Sequence, residues 1–251
     1  MKTTTRSAML LLTAIICLVL ARVGEAAISD FDGDRIAYWK LDVIDGSSDT
    51  PEEIGPYTTS VQSDVAVTSP GKVDDAFDFT GAALADRVIT DGTVPVGTSF
   101  SVSVWLRLAS APPSSYRRIV ENDYASSFYL GTDNTGKYLF IVKGDFSLVG
   151  PSLVVDAINW VHVAGTYDSG TTTAKLYVNN VLYGPESMTA PSAVNLDVTI
   201  GCSSTGNDVW TGDIDEVRIY NRALTAGEID DLYNNNVGVV AGPAGTVVTI
   251  K

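Results

Sequence analysis

Three neighbouring carboxylates, Asp213, Asp215 and Glu216, are the residues of this sequence that come nearest to a catalytic arrangement. Retaining glycosidases use two carboxyl groups about 5–5.5 Å apart, and a β-strand brings alternate residues to one face. Asp213 and Asp215 therefore share a face, whereas we expect Glu216 to point to the other one. Because this spacing does not pair a nucleophile with an acid, the sequence predicts no catalytic residue.

A second group of residues has the chemistry for binding a sugar. An aromatic ring packs against the apolar CH side of a pyranose, while amides and carboxylates bind its hydroxyl groups. The segment from Gly206 to Gly212 has the composition of a loop. The candidate ligand-binding residues are Trp210, Asn207, Asp208, Tyr116 and Tyr124. The alternative for Trp210 is that it packs at the rim of the domain just before the last strand.

The single histidine and the cysteines exclude other common chemistries. His162 is the only histidine, and it lies within an apolar strand pattern, which is typical of a structural histidine. Cys202 is the only cysteine outside the first 26 residues. A zinc site made of histidines and cysteines, and a disulfide within the mature chain, are therefore excluded.

Length, composition and charge narrow the class of protein. The chain has 251 residues, and its 16 basic and 30 acidic residues give a formal net charge of −14. Nucleic-acid-binding proteins present clustered Lys and Arg, so this balance argues against a nucleic-acid partner. Hydrophobic residues make up 45% of the chain and aromatic residues 9%, which excludes a disordered protein.

Residues 1–26 are predicted to be a signal peptide. Two basic residues precede an apolar run from Ala8 to Ala21, and the small residues Gly24 and Ala26 follow it. The run is shorter than the ~20 residues that cross a bilayer. We therefore expect cleavage after Ala26, secretion to the extracellular space or the periplasm, and no transmembrane segment in the mature chain.

The mature sequence has the pattern of successive β-strands separated by Gly and Pro. From Phe100 to Leu108 the apolar residues occupy one parity, which predicts a strand with a buried face. The segment from Arg35 to Val43 alternates in the same way, with every second residue from Ala37 to Val43 on the apolar side. Asn179-Asn180 predicts a hairpin turn, because both asparagines tolerate a positive φ.

Two further segments indicate packed sheets, and one indicates a helix. The segments from Lys137 to Lys143 and from Asn159 to Tyr167 carry apolar residues on both faces, as strands inside a sandwich do. Thr225 to Glu228 matches a capping box that begins a helix, and Asn234 to Asn236 would end it. The sequence therefore predicts an all-β protein of two antiparallel sheets with one short C-terminal helix.

Six segments in order resemble the laminin G-like jelly-roll domain (laminin G type 3) of the concanavalin A-like lectin and glucanase superfamily. They are AYWKLD (37–42), AFDFTG (76–81), FSVSVWL (100–106), WVHVAGTY (160–167), LYVNN (176–180) and GDIDEVRIYNRAL (212–224). The resemblance implies a two-sheet antiparallel jelly-roll sandwich, which agrees with the strand pattern. We expect one domain at 27–236, with 237–251 as a C-terminal tail or an extra strand.

The resemblance also implies a structural calcium. Members of the superfamily hold calcium with the aspartate of the last strand and with backbone carbonyls, and Asp215 matches that position. Asp78 is a second candidate ligand, since it lies in the segment that resembles the family's Phe-Asp-Gly turn. Calcium takes six to eight oxygen ligands, so one carboxylate can suffice when loops supply the rest. The alternative is that both carboxylates are solvated or accept hydrogen bonds from turn amides.

Function follows from the resemblance alone at this point, because the fold hosts lectins, enzymes and adhesion modules. We expect a secreted, non-enzymatic module that binds carbohydrate (glycan), with calcium as a structural ion. The alternative is an extracellular or cell-surface protein-interaction or adhesion module, and a third reading is a glycoside hydrolase or lyase. The oligomeric state and the identity of the ligand stay open.

Overall fold

The computed structural model describes residues 32–62, 64–81, 86–108, 115–144, 147–191, 194–235, 240–241 and 247–248. The expected signal peptide, 1–26, lies outside these residues, as does most of 237–251. Residues 34–251 form one compact unit, and the segment 1–33 is a separate one. Among the described residues, no helix is both long and apolar enough to cross a membrane.

Strands make up most of the described chain, with a 3-10 turn at Asp32–Asp34 and one α-helix, α1 (Ala226–Asn235). The strands are β1 (Arg35–Trp39), β2 (Thr59–Gln62), β3 (Ala66–Thr68), β4 (Ala76–Phe79), β5 (Arg87–Thr90), β6 (Val94–Val96), β7 (Phe100–Leu108), β8 (Arg117–Asn122), β9 (Phe128–Thr132), β10 (Lys137–Val142), β11 (Leu148–Ser152), β12 (Asp156–Asp168), β13 (Thr173–Val178), β14 (Val181–Ser187), β15 (Val194–Leu196), β16 (Thr199–Ile200), β17 (Gly212–Tyr220), β18 (Val240–Ala241) and β19 (Val247–Val248).

Two antiparallel sheets form the domain, as the sequence predicts. One has eight strands in the order β14-β13-β12-β7-β17-β4-β3, with β1 also paired to β17. The other has seven strands in the order β11-β10-β9-β8-β16-β5-β2. In the C-terminal segment, β18 pairs with β19. The prediction of an all-β jelly-roll sandwich with one short helix is confirmed.

Aromatic side chains fill the space between the two sheets. The ring of Phe100 on β7 stacks on Phe128 of β9 with centroids 4.9 Å apart, and it meets Phe140 of β10 edge-on at 6.2 Å. The Phe140 ring also packs directly on the backbone of β12 at Gly165, where the Cβ of any other residue would lie 2.5 Å from the ring. The core therefore depends on a close approach between β12 and β10, and each ring buries a large apolar area.

The alternating strand pattern is confirmed for β7 and only partly for β1. β7 spans Phe100–Leu108, and the apolar residues of the predicted parity all lie in the core: Phe100, Val102, Val104, Leu106 and Leu108. β1 ends at Trp39 because Leu41 adopts a φ of 62°, which leaves the strand conformation. Leu41 is still buried, but Val43 is 51% exposed, so the expectation that Val43 belongs to the apolar face is wrong.

The predicted hairpin and helix cap are both present. Asn179 and Asn180 connect β13 to β14 with φ values of 48° and 64°. At the start of α1, the Thr225 amide donates to Oε2 of Glu228 at 2.7 Å, and the Glu228 amide donates to Oγ1 of Thr225 at 3.3 Å. These two bonds are the reciprocal pair of a capping box, and they satisfy amides that the helix itself leaves open.

A clamp around Arg222 ties the helix to the beginning of the domain. Its guanidinium donates to Oδ2 of Asp34 at 2.6 Å and to both carboxylate oxygens of Glu228 at 2.6 and 2.9 Å. The hydrogen bonds from Arg222 lower the pKa of Glu228 to about 2. Asp34 precedes β1, so the clamp joins the first and last elements of the sandwich.

A β-bulge at Glu216 divides β17 into two halves with different partners. The first half, Gly212 to Ile214, pairs with β4, and the second, Val217 to Tyr220, pairs with β1. The pairing with β7 shifts register between Asp215 and Arg218, and Glu216 has a φ of 56°. One extra residue at a bulge changes which face the following side chains occupy.

The bulge brings Glu216 to the same face as Asp213 and Asp215. Its carboxylate accepts hydrogen bonds from the Tyr38 hydroxyl at 2.8 and 2.9 Å and pairs with the Arg218 guanidinium. Tyr38 lies on the outer face of the sheet, between the core residues Ala37 and Trp39. The expectation that Glu216 points to the opposite face is therefore wrong, because strand alternation is interrupted at this residue.

Candidate functional site

The outer face of the seven-stranded sheet, which turns away from the other sheet, carries a small cluster of buried apolar and aromatic side chains. On β9, Phe128 and Leu130 point into the core, so Tyr129 between them points outward. On β10, the same alternation places Leu139 and Ile141 outward, and these two residues form a cluster with Tyr129. The loops at this face hold the polar residues that surround the cluster.

Arg118 on β8 is the centre of this face. Its Nε donates to Oδ2 of Asp208 at 3.3 Å, and its NH1 lies 2.9 Å from Oε2 of Glu121. The guanidinium also lies over two rings, 4.3 Å from the centroid of Tyr129 and 5.1 Å from that of Tyr124. We call these five residues, Arg118, Glu121, Tyr124, Tyr129 and Asp208, the Arg118 cluster.

The backbone positions the two loops that contribute to the Arg118 cluster. The Arg118 amide donates to the carbonyl of Asp208 at 2.8 Å, which fixes the loop before β17 against β8. The Tyr124 amide donates to Oε1 of Glu121 at 3.1 Å, and the Tyr124 ring lies 5.8 Å from that of Tyr129. Glu121 therefore orients both the arginine and the loop that carries Tyr124.

Burial sets the electrostatics of the cluster. Glu121 is only 3% exposed, and burial raises its pKa, while the charge of Arg118 acts in the opposite direction. Burial likewise raises the pKa of Tyr129. Tyr124, by contrast, is 40% exposed, so its ring is available to a ligand. The cluster thus consists of a fixed, partly desolvated ion pair and an exposed aromatic ring, that of Tyr124.

The structure brings together some of the candidate ligand-binding residues. Tyr124 and Asp208 both contact Arg118, and Tyr116, which is 46% exposed, is close enough to Tyr129 to influence its pKa. Asn207 is an exposed neighbour of Asp208, and its side chain donates to Oγ1 of Thr205 at 3.1 Å. These residues lie at one end of the outer face.

Trp210 does not belong to this surface. It is 1% exposed and part of the core between the sheets, and its amide donates to the carbonyl of Gly201 at 2.7 Å. A ring enclosed in this way cannot stack on a sugar, so the prediction of a ligand-binding role for Trp210 is wrong. Packing at the rim before β17, the alternative from the sequence, describes its position.

Three members of the Arg118 cluster escape sequence reasoning: Arg118, Glu121 and Tyr129. Tyr129 could have been recognised, because alternation in Phe128–Thr132 places it opposite to the apolar Phe128 and Leu130. Arg118 and Glu121 are three residues apart, a spacing that puts residues of a regular strand on opposite faces. A register shift in the pairing of β8 with β9, between Arg118 and Val120, returns them to one face.

Asp215, the first candidate calcium ligand, is fully buried. Its Oδ2 accepts hydrogen bonds from the amides of Lys72 and Val73 at 2.7 and 3.0 Å, while Oδ1 has no partner among the described residues. Burial, and then the charge of Glu216, raise the pKa of Asp215 to about 9. An unpaired, desolvated carboxylate oxygen fits the donor chemistry of a calcium site.

Asp78, the second candidate, lies elsewhere on the same face. It stands directly opposite Asp213 in the pairing of β4 with β17, and burial and then the charge of Asp213 raise its pKa. Within the described ranges, no group of three or more His, Cys, Asp or Glu side chains is arranged to hold a metal ion. A calcium at Asp215 would thus draw its remaining ligands from backbone carbonyls.

His162 and Cys202 have structural positions. Nε2 of His162 lies 2.8 Å from Oγ of Ser103, and its ring packs against Trp105 with centroids 4.9 Å apart. Burial lowers the pKa of His162 to about 3, so the imidazole is neutral. Cys202 is buried, and burial raises the pKa of its thiol to about 11. Neither group is poised for nucleophilic chemistry at neutral pH.

The fold and these sites define a jelly-roll domain of the concanavalin A-like class. The family model Laminin_G_3, described as the concanavalin A-like lectin/glucanases superfamily, matches residues 81–230. The chain belongs to this family. A search among curated proteins found no match.

Solved structures of the same fold include binding domains. The binding domain of Paraclostridial Mosquitocidal Protein 1 is 13% identical with a TM-score of 0.62, covering 81% of this chain and 52% of that one. Domain 4 of AbnA, a GH43 extracellular arabinanase from Geobacillus stearothermophilus solved with arabinotriose, is 18% identical with a TM-score of 0.60, covering 80% and 98%.

The botulinum neurotoxin serotype D ligand binding domain, solved with N-acetylneuraminic acid, is 16% identical with a TM-score of 0.60, covering 82% of this chain and 52% of that one. The chain thus spans about half the length of the mosquitocidal and neurotoxin domains that it matches. At these identities the likeness shows a shared fold.

Proposed function

We propose that this chain is a non-enzymatic carbohydrate-binding module and that the Arg118 cluster is its glycan site. The observation that carries the proposal is the position of Arg118, which is bound to Asp208 and Glu121 and lies over the rings of Tyr124 and Tyr129. Arginine held in this way keeps an exposed aromatic ring and a carboxylate at fixed positions, which lowers the entropic cost of binding.

Each part of the cluster has a role in sugar binding. The apolar side of a sugar ring packs on Tyr124, with Tyr116 as a second exposed ring at the same end of the sheet. The carboxylate of Asp208, which is 36% exposed, accepts hydrogen bonds from hydroxyl groups, and the amide of Asn207 supplies a further donor and acceptor. Two structures of similar fold, AbnA domain 4 and the serotype D domain, were solved with sugars, which supports a carbohydrate-binding role for the fold rather than for particular residues.

A glycan array followed by calorimetry with the best ligand tests the proposal. We expect Tyr124→Ala and Asp208→Ala each to weaken binding at least about tenfold, the scale of one lost stacking or charge-assisted contact. Asp197→Ala, which removes another exposed carboxylate, is the matched control and should bind normally. Release of reducing ends from any bound polysaccharide would contradict the non-enzymatic assignment.

We also propose that the chain is secreted, on the strength of the basic and apolar pattern of residues 1–26. Expression of the full chain in a bacterial host, with a compartment assay, tests this. The exported protein should begin at Ala27 by N-terminal sequencing. Accumulation of the uncleaved chain inside the cell would contradict the proposal.

A structural calcium at Asp215 is a further proposal, supported by the unpaired Oδ1 atom of that residue. Binding to the folded state alone raises the melting temperature with ligand concentration. We expect the melting temperature to be higher in millimolar calcium than in EDTA, and Asp215→Asn to abolish the difference. An identical melting temperature in both buffers would exclude the ion.

One observation favours the second candidate function, an extracellular protein-interaction or adhesion module. Val154, Val155 and Ile158, at and before the start of β12, are 60%, 47% and 81% exposed. Exposed apolar side chains close together in sequence are typical of a protein contact. Capture of a surface protein that is lost in Ile158→Asp but kept in Tyr124→Ala would support this function over glycan binding.

A further inference from the structure

Trp160 differs from the other three tryptophans of the chain. Trp39, Trp105 and Trp210 are at most 2% exposed, whereas Trp160 on β12 is only partly buried. It precedes Val161, which packs against the core, so its ring lies on the outer face of the eight-stranded sheet. This face is opposite to the one that carries the Arg118 cluster.

Helix α1 packs on a neighbouring part of this face, whereas the Trp160 ring contacts an arginine of β7. The ring of Tyr233 on α1 stacks on Trp105 with centroids 5.8 Å apart and an interplanar angle of 15°. Arg107, two residues along β7 from Trp105, places its guanidinium carbon 4.6 Å from the centroid of the Trp160 ring. The arginine thus holds the indole in a fixed orientation.

The same arginine fixes a carboxylate beside the ring. Nε of Arg107 donates to Oδ2 of Asp213 at 2.6 Å, and each of the two side chains is 13% exposed. Asp78 stands directly opposite Asp213 on β4, where it is partly buried. Burial, and then the charge of Asp213, raise the pKa of Asp78. Asp213 is thus bonded to the arginine, while Asp78 faces Asp213 across the strand pair, where like charges are unfavourable.

We propose that Trp160, Arg107, Asp213 and Asp78, the Trp160 cluster, form a second carbohydrate-binding site for neutral sugars. An aromatic ring beside two fixed acceptors matches a sugar, whose CH side packs on the indole while neighbouring hydroxyls donate to the carboxylates. Hydroxyl donors also relieve the repulsion between Asp78 and Asp213.

Charge selects neutral sugars over two other classes of ligand. The cluster contains two carboxylates and one guanidinium, on a chain of net charge −14, so uronic and sialic acids would be repelled. A metal cation would have to compete with Arg107 for Asp213 and would meet the arginine's positive charge. Neutral sugars carry neither penalty.

The position of the site gives the module two binding surfaces. The Arg118 cluster and the Trp160 cluster lie on the outer faces of different sheets, so one chain can hold two glycan strands at once. Two sites of modest affinity on one molecule raise the avidity for a polymer through effective concentration. The inference goes beyond the proposed function, which needs only the Arg118 cluster.

Tryptophan fluorescence tests the second site directly, because Trp160 is the partly exposed indole. The probes are neutral trisaccharides, arabinotriose among them, with a sialylated trisaccharide and calcium chloride as competitors. We expect acrylamide to quench Trp160 and at least one neutral trisaccharide to protect it. Trp160→Phe should lose the quenchable signal, and Asp78→Ala should weaken protection about tenfold, while Asp197→Ala should not.

Tyr124→Ala separates this inference from the proposed function. Protection of Trp160 should persist in Tyr124→Ala, and Trp160→Ala should halve the calorimetric stoichiometry for a trisaccharide that fills both sites. Protection by calcium chloride or by the sialylated sugar alone, or no protection by any neutral trisaccharide in a variant that melts normally, would overturn the second site. If Tyr124→Ala abolishes sugar binding and Trp160→Ala does not change it, the Arg118 cluster is the glycan site and the second site is overturned.

Discussion

Two arginine clusters of the same composition have different surroundings in this domain. Arg218 pairs with Glu216 and lies 4.4 Å from the centroid of Tyr38, and Arg118 pairs with Glu121 and lies 4.3 Å from that of Tyr129. Arg218 and Glu216 have side chains only 4% and 1% exposed, whereas Arg118 reaches 15% and contacts the exposed Tyr124 and Asp208.

Enclosure, rather than residue type, separates a structural ion pair from a binding surface. A fully buried guanidinium and carboxylate hold each other, and no ligand can reach them. The Arg118 cluster has the same buried pair at its base, but one carboxylate and one ring extend from it into solvent. Its polar atoms can therefore exchange water for a ligand.

Removal of the carboxylate of the enclosed pair should cost the domain the most stability. Glu216→Leu removes the carboxylate that pairs with the buried Arg218 and should lower the free energy of unfolding by about 3–5 kcal/mol. Urea unfolding measures this, with Glu186→Leu, an exposed glutamate, as the control. The double variant Glu216→Leu, Arg218→Met should recover much of the loss. A loss of stability smaller than that of Arg118→Met would show that the enclosed pair stabilises the fold no more than the Arg118 pair does.

The next effect is a pH dependence from Asp215, measured in EDTA. The pKa of the Asp215 carboxyl is 3.8 in the absence of the fold, which is the value for the unfolded chain, and about 9 in the folded chain. Between these pH values the folded state therefore binds more protons than the unfolded state. The free energy of unfolding should therefore fall as the pH rises from about 4 to about 9. Asp215→Asn should show a flatter profile. Parallel profiles for the two proteins would contradict the buried, protonated carboxyl.

A smaller loss of stability is expected at the other arginine. Arg118→Met leaves Glu121 buried without its ion pair and should lower the free energy of unfolding by about 1–3 kcal/mol. The domain should still fold, because the core between the sheets is untouched. Lys137→Met, at an exposed strand end, is the control. Sugar binding that survives in folded Arg118→Met would remove the arginine from the proposed site.

The smallest effect on stability is expected at the exposed end of the cluster. Asp208→Asn weakens an ion pair in which the Asp208 side chain is itself 36% exposed, so the free energy of unfolding should change by less than about 1 kcal/mol. Its effect on glycan affinity should exceed its effect on stability. The reverse result, measured by calorimetry and urea unfolding on one sample, would assign Asp208 a structural role.

The features of the fold that could be predicted best are those that depend on local sequence patterns. The alternation in β7, the Asn179-Asn180 turn and the capping box at Thr225 each depend on residues close in sequence, and each is present. The pattern failed at Leu41 and Glu216, where a positive φ interrupts the strand. Such interruptions are fixed by long-range packing, so alternation alone cannot reveal them.

The candidate site was predictable in part. Exposed loop residues such as Tyr124 and Asp208 were identified by type, and the structure places both against Arg118. Trp210 lies in a segment of the same loop-like composition, but it is buried in the core just before β17. Arg118 and Glu121 become neighbours only through a register shift. Burial and register are properties of the assembled sheets, and composition does not encode them locally.

The Arg222 clamp has a consequence for modular architecture. By holding Asp34 and Glu228 to one guanidinium, it places the residue before β1 beside the first turn of α1. The first strand and the helix that follows β17 are therefore close in space although they are far apart in sequence. Such proximity is what allows a domain to be circularly permuted, or inserted in a longer polypeptide, while its β-sandwich stays intact.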